Sequence, residues 1–202
     1  MDKLKQSTLV WAILGLLLLP SQHAMSTQTV SSQTFNANTS VETTPLPSFK
    51  LVGSANMKWL WFEIYEAKVL TPSGAYVANQ RPLALELLYK RSISAEQLIE
   101  STIDEWLRQK IDYQAEWVSI LTDIWPNIEP QDQLILYVDE SSVSHFFYNK
   151  RFIGSLNDTA FASAFSAIWL SENTLKPKLR NQLIGILNKQ RQVNAKNNAL
   201  KV

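Results

Sequence analysis

Two side chains at the head of one apolar stretch are placed to hold an acid. They are Asn56 and Lys58, in ANMKWLWFEIYEAKVLTPSG, residues 55–74. An ammonium beside an amide donor can fix a carboxylate at the mouth of an apolar pocket, because charge-assisted hydrogen bonds are the strong ones. Rings to line such a pocket follow at once, at Trp59 and Trp61, with Trp106, Trp117, Trp125 and Trp169 further along. Tyr89 and Arg91 end a later apolar run and can border the same cleft. A solvated strand end and a tryptophan-rich core use the same residue types, so these residues are candidates for a site.

Other chemistries lack their parts. The chain has no Cys, which removes thiolate nucleophiles, disulfides and thiolate metal sites. Its five glycines are scattered, so no loop can cradle a phosphate. His145 stands alone beside Phe146 and Phe147, without HExxH or CxxCH, and reads as a hydrogen-bonded strand residue. Neither a metal site nor a cofactor is called for. Arg180, three residues past Pro177, reads as a pin for the loop after Leu170, for example through Glu172. Nucleic-acid binding is not expected, because the basic residues lack interleaved aromatics and no known module is present.

The chain begins with a charged start, Asp2 to Lys5, and an apolar run from Leu9 to Leu19 closed by Pro20. A spanning helix needs ~20 apolar residues, so this run fits the core of a signal peptide over residues 1–26. Export to the periplasm is the expected consequence. Residues 27–47 are mostly Ser, Thr, Gln and Asn and read as a flexible leader. Residues 48–194 then form a single domain, large enough for a core without staples, and 195–202 a basic tail. Residues 173–202 hold seven Lys or Arg and no acid, whereas 27–172 hold 10 basic and 17 acidic residues. The basic end reads first as a solvated segment, with peripheral membrane contact as the alternative.

The elements follow from periodicity. Phe49 to Val52 reads as a short strand stopped at Gly53, and Asn56 to about Leu70 as a long strand apolar on both faces at its start. Thr71-Pro72-Ser73-Gly74 makes a turn, and Leu83 to Tyr89 a third strand. Ser94 and Gln97 have capping-box spacing before a helix carrying Leu98, Ile103 and Trp106. A second helix carries Trp117, Ile120, Leu121 and Ile124. Strands follow at Leu134 to Val138, His145 to Tyr148 and Arg151 to Ile153, the last ended by Gly154. Asp158 caps a helix through Trp169, and Pro177 opens a last one carrying Leu179, Leu183, Ile184 and Leu187. Hairpin-joined strands alternating with helix pairs predict an α+β fold with a mostly antiparallel sheet.

Three runs together resemble the bacterial chalcone isomerase-like family: GSANMKWLWFEIYEAKVLTPSG, LALELLYKRSISAEQL and FYNKRFIGSLNDTAFASAFSAIWLSENTLKPKLRNQLIG. The resemblance implies an open-faced sandwich, a large antiparallel sheet covered by a layer of helices, with a ligand cleft between them. True chalcone isomerases use an arginine near the start of the long strand and a tyrosine near the start of the following helix. Other members of the fold bind fatty acids without known isomerase activity. Where the bacterial branch commonly has Arg, three residues after the matching Gly53, this chain has Asn56. Lys58 leaves the same strand face but is a point charge without Arg's fork, and Ser94-Ala95-Glu96 offers no Tyr.

The sequence therefore predicts an exported, non-catalytic protein that binds a small apolar acid such as a fatty acid. Asn56 and Lys58 would sit near the carboxylate, with Trp59, Trp61, Tyr89 and Arg91 around it. One alternative is an isomerase or lyase on an unsaturated carbonyl compound, with Lys58 stabilising the oxyanion. Another is an interaction protein that docks through its basic C-terminus.

Overall fold

The computed structural model describes residues 48–186. The predicted element order is present: β1 (Lys50–Trp59), β2 (Phe62–Thr71), β3 (Leu83–Tyr89), α1 (Ala95–Arg108), α2 (Ala115–Ile124), β4 (Gln133–Val138), β5 (Ser144–Tyr148), β6 (Arg151–Leu156), α3 (Thr159–Leu170) and α4 (Pro177–Leu183). The strands form one six-stranded sheet in sequence order, each antiparallel to its neighbour. Because side chains alternate across a strand, one face carries Ala55, Met57, Tyr65, Ala67, Val69, Leu85, Leu87, Tyr89, Leu134, Leu136 and Phe146, a continuous part of the core. The helices pack on this face. Trp125 and the α3 residues Phe161 and Phe165 sit edge-on to Phe146.

Local chemistry fixes the helix starts. Ser94 and Gln97 form the reciprocal capping box at α1, and Asp158 accepts from the N–H groups of Ala160 and Phe161 at α3. Pro177 occupies the first turn of α4, where its missing N–H costs nothing. That helix ends at Leu183, short of the expected Leu187, which lies outside the described residues. So do the expected signal segment, leader and basic tail.

Two strand boundaries differ from the expectation, for one reason. Gly53 and Gly154 do not end strands: β1 runs through Gly53 and β6 through Gly154. A Cβ at Gly53 would lie 2.1 Å from the Gln182 carbonyl oxygen, and one at Gly154 would lie 2.7 Å from Ile124 Cγ2. Each glycine lets a helix approach the sheet, α4 on β1 and α2 on β6.

The larger difference lies at residues 59–62. The expected single strand from Asn56 to Leu70 is two strands, β1 and β2, joined by a hairpin at Leu60-Trp61, with Trp59 paired to Phe62. Leu60 has φ 54°, a conformation that glycine or asparagine usually supplies. The turn therefore carries no sequence signature, and its aromatics mimic a strand buried on both sides.

Candidate functional site

The six residues expected to share a cleft are separated. Asn56 and Lys58 lie on the exposed parity of β1, away from the face that carries Ala55 and Met57. β1 is an edge strand. Asn56 and Lys58 line a recess of about 530 Å³ there, together with Ser54, Ala55, Glu66 and Gln182. Lys58 Nζ is bound to Glu63 at 2.8 Å, with both side chains largely in water, and this bond holds the Glu63 carboxyl below its ordinary range. The recess is polar and its cation is already engaged.

Trp59 is partly buried against the core. Trp61 stands at the hairpin turn, 87% exposed, and lines nothing in the core. Arg91 reaches the same hairpin, its guanidinium carbon 5.9 Å from the centre of the Phe62 ring.

Tyr89 is the candidate buried in the core between sheet and helices. It is 3% exposed and meets the Tyr65 ring edge-on at 5.7 Å, so the two phenols are neighbours on adjacent strands. Trp169 Nε1 donates to the Tyr65 hydroxyl at 3.0 Å. No hydrogen bond joins the Tyr89 hydroxyl to another of the described residues. Burial pushes the Tyr65 phenol up to about 12 and raises Tyr89 further still. Both stay protonated at neutral pH, so each hydroxyl keeps a hydrogen to donate. Beyond Trp169 the rings continue through Phe165 to Trp106 and Trp117.

A polar group flanks this layer on α1. Arg108 Nε and Nη2 donate to the two Glu105 oxygens at 2.8 and 2.6 Å, and Gln109 Nε2 donates to Glu105 at 2.9 Å. Arg108 also donates to the Asn173 carbonyl, and Gln109 to that of Ala167. Glu105 is buried and its charge is felt at Tyr65. Sequence reasoning passed over Tyr65, Glu105 and Arg108. The parity that Tyr65 shares with Ala67 and Val69, and the Glu105–Arg108 spacing beside Trp106, were the signals present.

The other singled-out residues have structural partners. His145 Nε2 lies 3.1 Å from Asp139 and its ring stacks on Tyr137. Arg180 Nε donates to the Leu170 carbonyl at 2.8 Å, with Nη2 3.7 Å from Glu172, which is the expected pin. Among the described residues no group of three His, Asp or Glu side chains could hold a metal ion.

An antiparallel sheet with helices on one face and an aromatic layer between them is an open-faced α+β sandwich. Residues 27–185 match the chalcone isomerase-like family, and the chain belongs to it. An uncharacterised protein of Haemophilus influenzae is 28% identical over 144 residues, covering 70% of each chain. The crystal structure of an Arabidopsis thaliana fatty-acid binding protein aligns with a TM-score of 0.56 at 12% identity, over 69% of this chain and 88% of that one. At that identity the likeness shows a common fold.

Proposed function

We propose that the protein binds a small apolar acid of the fatty-acid kind, without catalysis, in the layer between sheet and helices. The observation that carries this reading is the Tyr65–Tyr89 pair. These are two protonated phenols inside an aromatic layer, one of them with no described hydrogen-bond partner. The Tyr89 hydroxyl is free to donate to a ligand carboxylate, and a hydrogen bond to a charged group contributes about 1.5–3 kcal/mol. The layer is filled by the protein's own rings, so a chain-like ligand enters by displacing side chains around Trp169 and Phe165. Family membership and the fold shared with a fatty-acid binding protein support the same reading.

Asn56 and Lys58 form the second place for a head group, at the β1 edge recess. The Lys58–Glu63 bond counts against it, and against Lys58 as an oxyanion stabiliser in an isomerase or lyase. The reading includes export to the periplasm through residues 1–26, which cell fractionation tests directly. For the ligand, the test is fatty-acid titration of the purified protein and two variants. Tyr89→Phe weakens binding about tenfold or more, the worth of a hydrogen bond to a charged group, and Lys58→Ala leaves it unchanged. The reverse pattern moves the head group to the edge recess, and no binding at all overturns the reading.

A further inference from the structure

The tip of the β1–β2 hairpin presents three consecutive apolar side chains to solvent: Leu60 at 65% exposure, Trp61 at 87% and Phe62 at 57%. Isolated exposed apolar residues are ordinary, but a contiguous group that includes two aromatics is not. The turn also holds Leu60 at φ 54°, where a bulky side chain is strained and glycine or asparagine would relax the backbone. Folding alone gives no reason to keep leucine there.

Charge surrounds the group. Lys58 precedes it, and the end of β3 brings Lys90 and Arg91 alongside, because the Lys90 N–H donates to the Ile64 carbonyl at 2.9 Å. The Arg91 guanidinium covers one face of Phe62. Glu63, next to the tip, is bound to Lys58 and within the field of Lys90. Glu66 lines the recess with Lys58 and lies 3.6 Å from Lys68, and Glu129 accepts from Ser92. Lys58, Glu63, Lys90 and Arg91, the charges that flank the turn, sum to a positive charge beside an apolar apex.

We propose that this tip docks on an anionic lipid surface, with Leu60, Trp61 and Phe62 entering the headgroup–acyl boundary and Lys90 and Arg91 facing the headgroups. Tryptophan concentrates at that boundary, and basic residues beside it gain from lipid charge. A stable protein interface takes some 20–30 residues a side, whereas a three-residue convex tip can enter a bilayer without a shaped partner. The mode differs from spanning: no helix of the described residues is long and apolar enough to cross a membrane. It stands apart from the ligand reading and survives if that reading fails.

The test uses the full chain and vesicles of phosphatidylcholine brominated in the upper acyl chain, with and without phosphatidylglycerol. Trp61→Phe is a conservative change at an exposed site. Subtracting its emission from that of the wild type isolates Trp61 from the other six tryptophans. The expected result is quenching of the Trp61 component by at least half on vesicles containing phosphatidylglycerol. Lys90→Gln and Arg91→Gln should each weaken this association roughly fivefold. A Trp61 component left unquenched at saturating vesicle overturns the proposal. So does one that shifts with protein concentration alone, which would place the tip between copies of the chain.

Discussion

Trp169 Nε1 donates to the Tyr65 hydroxyl at 3.0 Å, joining α3 to β2 across 104 residues of sequence. This bond ties the helical layer to the sheet at the point where the aromatic layer meets the two phenols. Tyr65→Phe leaves the indole N–H of a residue only 8% exposed without its acceptor. The expected cost is about 1–3 kcal/mol, seen as a lower midpoint in urea. The double variant with Trp169→Phe should cost less than the sum of the singles. Additive losses would show that the bond contributes nothing.

Gly53→Ala tests the seat of α4. Its Cβ would meet the backbone oxygens of Gln182 and Leu183 at 2.1 and 2.8 Å, and backbone cannot move aside as a flexible side chain can. A loss of about 1–3 kcal/mol or more is expected. Hydrogen exchange should accelerate first in residues 177–183, and unchanged protection there would contradict the packing described.

Ser144 is fully buried, and its hydroxyl has no hydrogen-bond partner among the described residues. Removing an unsatisfied buried polar group relieves its desolvation cost. Ser144→Ala is therefore expected to be neutral or stabilising by about 1 kcal/mol in urea denaturation. A clear loss would mean that the hydroxyl does have a partner.

Acid should destabilise the protein through Asp132. It accepts from the Tyr148 hydroxyl at 2.5 Å, from Asn149 at 2.8 Å and from the Glu129 N–H at 2.7 Å. The Tyr148 bond leads in holding its carboxyl below the ordinary range. A carboxylate depressed in the folded state contributes stability that is complete above its unfolded pKa, about 3.9, and is lost as pH falls through the folded value. Tm measured from pH 6 to pH 2.5 should fall below about pH 4, and Asp132→Asn should flatten that fall. Parallel curves for the two proteins would remove Asp132 from the account.

The sequence showed most of the architecture, because periodicity and caps are local signals. The capping box at Ser94 and Gln97, Asp158 before α3 and Pro177 in α4 all occupy the positions their spacing predicts. What escaped it depends on distant residues. Gly53 and Gly154 resemble strand stops until Gln182 and Ile124 are seen against them. The Leu60-Trp61 turn breaks the residue rules for hairpins, so its rings counted as both faces of one strand. The candidate site was legible only in part. Tyr89 follows from its place at the end of an apolar run just before a helix, but its neighbour Tyr65 and the Glu105–Arg108 pair gain meaning only when α1 and α3 are laid on the sheet.

The most direct test of ligand binding is native mass spectrometry of the protein purified under mild conditions, before and after organic extraction. The account predicts a co-purified mass that extracts as a fatty acid or related amphiphile and rebinds on addition, with rebinding weakened in Tyr89→Phe. A clean apo mass, unshifted by added fatty acids, would contradict it and leave the aromatic layer as packing alone.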